Sequence, residues 1–288
     1  MGEVKHEALF TREAGQLKGF AIETEDHTIY YETAANSDDV EKTFILAHGA
    51  FASGRYMNLV AHEILEQIPN SKVLVLDLPY HGYSTASIPV EGVTVHGYKE
   101  AVADALTQLD EVGELVGTKH WIGWSMGGSI GLLLSIEDNA FEELTVLNSS
   151  PVWETVDAFV SAGVFSDTST AKAISKNILF ADLEGEEQVI LDAIEANFDD
   201  MTAVGNVIKN DFESITTVNY DVRDKLSEVK AKTLIFSGVN DGVALEPLQH
   251  EMAEKIPNNT LVLVDDNHTT VLKPNRAKVI AKHIKDVF

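Results

Sequence analysis

The chain has 288 residues, 44% of them hydrophobic and 23% charged, a balance that suits one large folded domain or a core with an insertion and excludes disordered and fibrous classes. Asp and Glu outnumber Lys and Arg by 46 to 21, and a formal charge of −25 repels nucleic acid and anionic lipid, so neither is expected as a partner. Cysteine is absent, which excludes disulfides, cysteine nucleophiles and thiolate metal sites.

In chain order, residues 1–6 begin no apolar signal segment, and no apolar run approaches the roughly 20 residues of a membrane helix. The expected location is therefore the cytoplasm. Residues 19–33 read as two short strands, an antiparallel edge. Beyond them, apolar β-branched runs at 43–47, 73–76, 120–123, 144–147, 233–236 and 260–264 alternate with amphipathic segments at 56–67, 98–112, 126–136, 245–255 and 275–287. Alternation on this scale predicts a doubly wound, mostly parallel α/β sheet.

One stretch breaks the rhythm. From 152 to 220 there is no convincing strand, only helix-like segments at 170–180, 187–196 and 202–212, so an all-helical lid is expected. The chain then divides into a first core part (1–151), the lid (152–220) and a second core part (221–288). The lid's larger apolar residues, Trp153, Phe159, Phe165, Phe180, Phe198 and Phe212, are expected to form its own core, with one or two left to line a pocket. No internal repeat or low-complexity tract is present.

The densest chemistry lies at Gly123-Trp124-Ser125-Met126-Gly127, a serine between two glycines directly after the run Lys119-His120-Trp121-Ile122. A sharp strand-to-helix turn of this composition exposes the serine hydroxyl at a helix N-terminus, where amide groups and the helix dipole favour developing negative charge. The small residues and apolar run of 126–134 suit a helix packed closely on a sheet. A serine nucleophile needs a base, and the base needs an acid to orient it. His268 follows the apolar run 261–264, and Asp241 follows 233–236, which places both just beyond strands on the same sheet edge. Asp265 and Asp266 are nearer to His268 in sequence, but adjacent loop carboxylates are expected to face solvent. The other histidines lack metal-ligand spacing, and no phosphate-binding or dinucleotide loop follows a strand, so no metal and no cofactor is expected.

The order Ser125, Asp241, His268 resembles that of the serine α/β-hydrolases, specifically the lid-bearing branch that includes carboxylesterases, lactonases, carbon–carbon bond hydrolases and cofactor-free perhydrolases. Two further segments carry the resemblance. Ala47-His48-Gly49-Ala50-Phe51 is similar to the family's His-Gly oxyanion loop, and Asp77-Leu78-Pro79-Tyr80-His81-Gly82-Tyr83-Ser84 is similar to its Asp-x-Pro-Gly-His-Gly-x-Ser segment, with Tyr80 in place of the usual glycine. The resemblance implies an α/β-hydrolase fold with an inserted helical lid. It implies Ser125 as nucleophile, His268 as base and then acid, Asp241 as orienting carboxylate, and the backbone N–H groups of Ala50 and Met126 as oxyanion donors. His48 and His81 are then expected to hold loops through backbone hydrogen bonds.

Hydrolysis of a small carboxylic ester is the expected activity. The same three side chains would also serve a lactone, a thioester, a carbon–carbon bond beside a ketone, or acyl transfer to peroxide or an alcohol, and the fold could serve as a receptor without turnover. A serine rather than an aspartate in the elbow argues against the dehalogenase and epoxide hydrolase branches. Phe51, Trp124 and Trp153 are candidates for pocket walls, each weighed against a packing role. Apolar walls would favour short or medium acyl groups over charged ones, and the chain's charge disfavours anionic substrates. Oligomeric state is left open.

Overall fold

The computed structural model describes residues 17–288; the segment 1–6, His6 with it, lies outside the described residues. Nine strands share one sheet: β1 (Lys18–Glu23), β2 (His27–Ala35), β3 (Lys42–Ala47), β4 (Ser71–Leu76), β5 (Thr85–Ala86), β6 (Thr118–Trp124), β7 (Glu143–Leu147), β8 (Lys232–Gly238) and β9 (Asn259–Val264). Their spatial order is β1-β2-β4-β3-β6-β7-β8-β9, with the two-residue β5 alongside β2. From β4 to β9 every pairing is parallel. β1 and β2 pair antiparallel as expected, but β2 is longer than its sequence suggested and also pairs with β4, so of these two strands β1 alone lies at an edge.

Parallel strands covered on both faces are apolar without a break, and β3 illustrates how the two faces divide. Ile45 and Ala47 join one core layer with Leu74, Trp121 and Val146, while Phe44 and Leu46 join the opposite layer with Val73, Ile122 and Phe236. Each fully buried side chain of this kind is worth roughly 1.5–3 kcal/mol relative to leaving it in water. Helix α1 (Asn58–Gln67) contributes Leu59, Val60 and Ile64 to the second layer. Helix α2 (Val95–Glu111), started by the Thr94 hydroxyl accepting the Gly97 N–H at 3.4 Å, contributes Tyr98 and Val102 to the first. Helix α3 (Met126–Leu133) is buried along its whole length.

Between β7 and β8 the chain leaves the sheet and forms α4 (Glu154–Ser161), α5 (Ala171–Asp182), α6 (Gln188–Met201) and α7 (Gly205–Ser214). An isolated antiparallel bridge between Val152 and Asp221 ties the two ends of this excursion together. Three of the four helices match the segments read from sequence. α4 does not, because eight residues containing Thr155, Val156 and Val160 offer little helical signal. Two more helices complete the wrapping. Helix α8 (Glu246–Lys255) follows β8, and α9 (Pro274–Val287), opened by a proline at its first position, lays Ala277, Ile280 and Ile284 on the second layer.

The topology sets the position of the site. The chain goes from β3 to β4 on one side and later returns to place β6 on the other, so β3 and β6 flank a reversal of strand order. Ala47 and Gly123 are partners in register, and the loops leaving the carboxyl ends of β3 and β6 therefore emerge side by side. Open α/β sheets hold their ligands at this kind of switch point.

Candidate active site

Ser125 occupies the turn between β6 and α3 with φ 53° and ψ −121°, a left-handed conformation that a side-chain-bearing residue adopts at a cost of about 1–3 kcal/mol. The flanking glycines permit it. A Cβ on Gly123 would overlap the Gly127 carbonyl, and one on Gly127 would lie 2.5 Å from the Ala47 carbonyl oxygen. The turn is pinned by the Ser125 N–H donating to the Leu147 carbonyl at 3.0 Å.

His268, in the loop after β9, places Nε2 3.0 Å from the Ser125 hydroxyl oxygen and Nδ1 2.8 Å from Asp241 Oδ2. Asp241 is itself held in place. Its Oδ1 accepts the N–H groups of Val243 and Ala244, each at 2.8 Å, and its Oδ2 also accepts the Asn148 amide at 2.9 Å. Burial pushes the Asp241 carboxyl up, but the adjacent imidazole and these donors outweigh it and hold the group below the usual carboxylate range. Burial likewise favours a neutral His268; the Asp241 charge and hydrogen bond outweigh that, and its pKa is raised. Asn148, just past β7 with φ 44°, spans both loops, since its amide also donates to the Asn267 carbonyl at 3.0 Å. Sequence reading missed Asn148, though its place at the carboxyl end of a strand was the signal available.

Of the two neighbouring carboxylates, both expected to face solvent, only Asp266 departs from expectation. Asp265 is exposed, but Asp266 is buried and paired with Lys273 at 2.5 Å and Arg276 at 2.7 Å, because the start of α9 folds back over the loop. Neither forms a hydrogen bond or ion pair with His268 among the described residues; Asp266 serves to fix the loop that carries it.

Behind the β3 loop lies a buried polar cluster. His48 presents Nδ1 to the Gly49 carbonyl at 2.7 Å while Nε2 accepts the Leu78 N–H at 3.0 Å, so the ring is neutral, and burial depresses its pKa strongly. His81 faces an acceptor at each nitrogen, the Pro79 carbonyl at 2.8 Å and Asp211 Oδ2 at 2.8 Å. Burial opposes its charge, yet Asp211 prevails and raises its pKa. Asp211, on α7, also accepts the Phe51 N–H and the Tyr98 hydroxyl, each at 2.8 Å. Phe51 and Tyr80 both have positive φ, 56° and 69°, and Tyr80 does so where the family's segment carries glycine. The N–H groups of Ala50 and Met126 beside Ser125 engage no protein acceptor among the described residues. Asp211 escaped the sequence reading, although it stands on the apolar stripe Val207, Asp211, Ile215 and breaks it.

Ser125 and His268 open into a cleft under the insert. Phe51, Trp124 and Trp153 all line it. Trp124 is also a packing residue, stacked on Tyr56 and donating its indole N–H to the His268 carbonyl at 2.9 Å. Of the six large apolar residues assigned to a separate core, Trp153, Phe159, Phe165 and Phe212 line the cleft too. Phe165 and Phe212 do both, stacking on each other with ring centroids 3.9 Å apart while also lining the cleft. Phe198 remains internal, with Lys176 over its ring and that of Phe180.

Comparison with known proteins agrees with this fold. The Alpha/beta hydrolase family model matches residues 44–280. No curated protein matches the sequence. Among solved structures, a hydrolase from Pseudomonas aeruginosa PA01 superposes with a TM-score of 0.76 at 19% identity, covering 96% of this chain and 99% of that one. An enol-lactonase from Burkholderia xenovorans LB400 gives 0.75 at 20% identity, with coverages of 91% and 96%. An esterase from Exiguobacterium antarcticum gives 0.74 at 19%, with coverages of 90% and 95%. At such identities the likeness concerns the fold. None of the described helices is long and apolar enough to cross a membrane.

Proposed function

The chain belongs to the alpha/beta hydrolase family, and we propose that it is a serine hydrolase that cleaves small carboxylic esters through an acyl-serine intermediate. The observation that carries this reading is the continuous chain of contacts from Asp241 through His268 to Ser125, at the floor of an apolar cleft. His268 takes the proton from Ser125 as its oxygen attacks the ester carbonyl, and Asp241 stabilises the imidazolium that forms. The resulting oxyanion is held by the N–H groups of Ala50 and Met126, which have no competing acceptor among the described residues. The imidazolium then gives its proton to the departing alcohol. Water then attacks the acyl carbonyl as it gives a proton to His268, and the imidazolium returns that proton to the departing Ser125 oxygen, which releases the acid and restores the free serine.

In this reading residues 152–220 act as a lid whose aromatic side chains exclude water and size the acyl group. Hydrolysis of p-nitrophenyl esters from acetate to octanoate by wild type and Ser125→Ala tests it. Wild type is expected to turn over with a chain-length optimum, and Ser125→Ala to lose nearly all activity. Equal rates for the two proteins would remove Ser125 as nucleophile.

A further inference from the structure

The insert reaches the site through two carboxylates that are held differently. Asp211 is saturated, with the Phe51 N–H, the Tyr98 hydroxyl and His81 all bound to it. Asp182, the last residue of α5, lies on the other side and meets the His268 loop. Its carbonyl accepts the Asn267 amide, and the donor nearest its carboxylate is the His268 backbone N–H. A carboxylate offers about four acceptor sites, so one donor leaves most of that capacity at the wall of the cleft. No Lys or Arg forms an ion pair with Asp182 among the described residues; the neighbouring Lys273 is committed to Asp266.

Asp182 is also the one acidic side chain in a lining that contains no Lys or Arg and is shared between aromatic and aliphatic side chains. Burial pushes its carboxyl up, the nearby Asp241 charge adds to this, and the charges of His268 and Lys273 offset it only in part. Its place at a helix C-terminus adds partial negative charge from the last carbonyls, and the chain's overall charge of −25 draws cations toward the cleft. A trimethylammonium group matches all of these features. Its methyl surface suits an apolar wall, its charge is attracted to the ring faces of residues such as Trp153 and Phe159, and it needs a nearby anion but no hydrogen-bond acceptor.

We propose that Asp182 and the aromatic walls form a subsite for a quaternary ammonium group, so that the preferred substrates are esters bearing such a cation. The inference rests on the ester-hydrolase reading for its substrate class, and it revises the expectation that apolar walls disfavour charged groups.

Two isosteric pairs test it: ethyl 4-(trimethylammonio)butanoate against ethyl 5,5-dimethylhexanoate, with the cation on the acyl side, and trimethylammonioethyl butanoate against 3,3-dimethylbutyl butanoate, with the cation on the alcohol side. Binding is measured in the Ser125→Ala protein by tryptophan fluorescence, which Trp124 and Trp153 report from within the cleft. In at least one pair the cation should bind about tenfold more tightly than its carbon isostere. Adding Asp182→Asn, which keeps an oxygen for the His268 N–H, should bring that ratio close to one. Equal or absent binding of both members in both pairs overturns the proposal. So does a preference that survives Asp182→Asn, or a loss that falls equally on both members, which would make Asp182 a clasp for the His268 loop. Turnover of the neutral esters by wild type reports separately on the hydrolase reading, and the binding comparison does not depend on it.

Discussion

His268 lies between opposing influences, and their balance has a measurable consequence. Burial alone would depress its pKa, but the Asp241 charge, the Asp241 hydrogen bond and the more distant Asp182 charge bring it above the ordinary value of 6.5. A general base must be neutral, so kcat/KM should fall as pH drops through this raised pKa, with the acid limb above pH 6.5. The linked contribution to stability is fully present below pH 6.5 and lost as pH rises through the folded value. Asp241→Asn removes the charge that raises the pKa while keeping the shape. Its acid limb should move to lower pH and kcat should fall by about 10⁴-fold, the size of effect known for the equivalent change in a serine protease. An unmoved limb would mean that another group titrates. The Ser125, Asp241 and His268 candidates came from sequence because their residue types sit at strand ends in a recognised order. Asn148 did not, because asparagine after a strand carries no such order, and its link to both loops exists only once the sheet has formed.

Helix α7 shows what an element contributes that no single motif announces. By sequence it is an amphipathic helix of the insert. In the fold its Asp211 enters the core and holds Phe51, the residue after Ala50, in a left-handed conformation. Asp211→Asn should therefore act on the transition state more than on substrate binding. We expect a fall in kcat of about tenfold, near the lower end of what losing an oxyanion donor costs, with KM little changed. A matched rise in KM, together with protease sensitivity across α5 to α7, would instead mark a loosened insert. Strand boundaries carry a related lesson. The apolar runs locate every central strand but stop short of polar starts such as Lys42, Thr118 and Glu143. Those residues extend the ladder at the amino edge, where Lys42 pairs with Glu143 at 2.7 Å.

Across the whole molecule, 46 acidic against 21 basic residues leave most carboxylates without a cation, so the folded chain repels itself at low ionic strength. Raising NaCl from 0.01 M to 1 M shortens the screening length from about 30 Å to about 3 Å. The Tm is expected to rise over that range by several degrees, measured by calorimetry at neutral pH. A falling Tm would mean that the surface pairs, such as Lys176–Glu195 and Lys209–Glu213, outweigh the repulsion. Exposed pairs of this kind are worth only about 0–1 kcal/mol each, which is why the rise is expected.

Sequence alone was sufficient for the alternating α/β plan, the helical excursion after β7 and three candidate residues, because periodicity, glycine spacing and strand-end placement are local properties of the chain. It was insufficient for everything that depends on which surfaces meet. That Phe165 and Phe212 both stack on each other and line the cleft follows from how the insert settles over the strand ends. Whether Asp266 meets solvent or Lys273 follows from the path of α9. Asp182 and Asp211, identical in type and both on helices of the insert, receive opposite treatment, one left open at the pocket wall and one saturated in the core. Burial and hydrogen-bond partners are properties of the assembled structure, and only tertiary contacts could tell the two carboxylates apart.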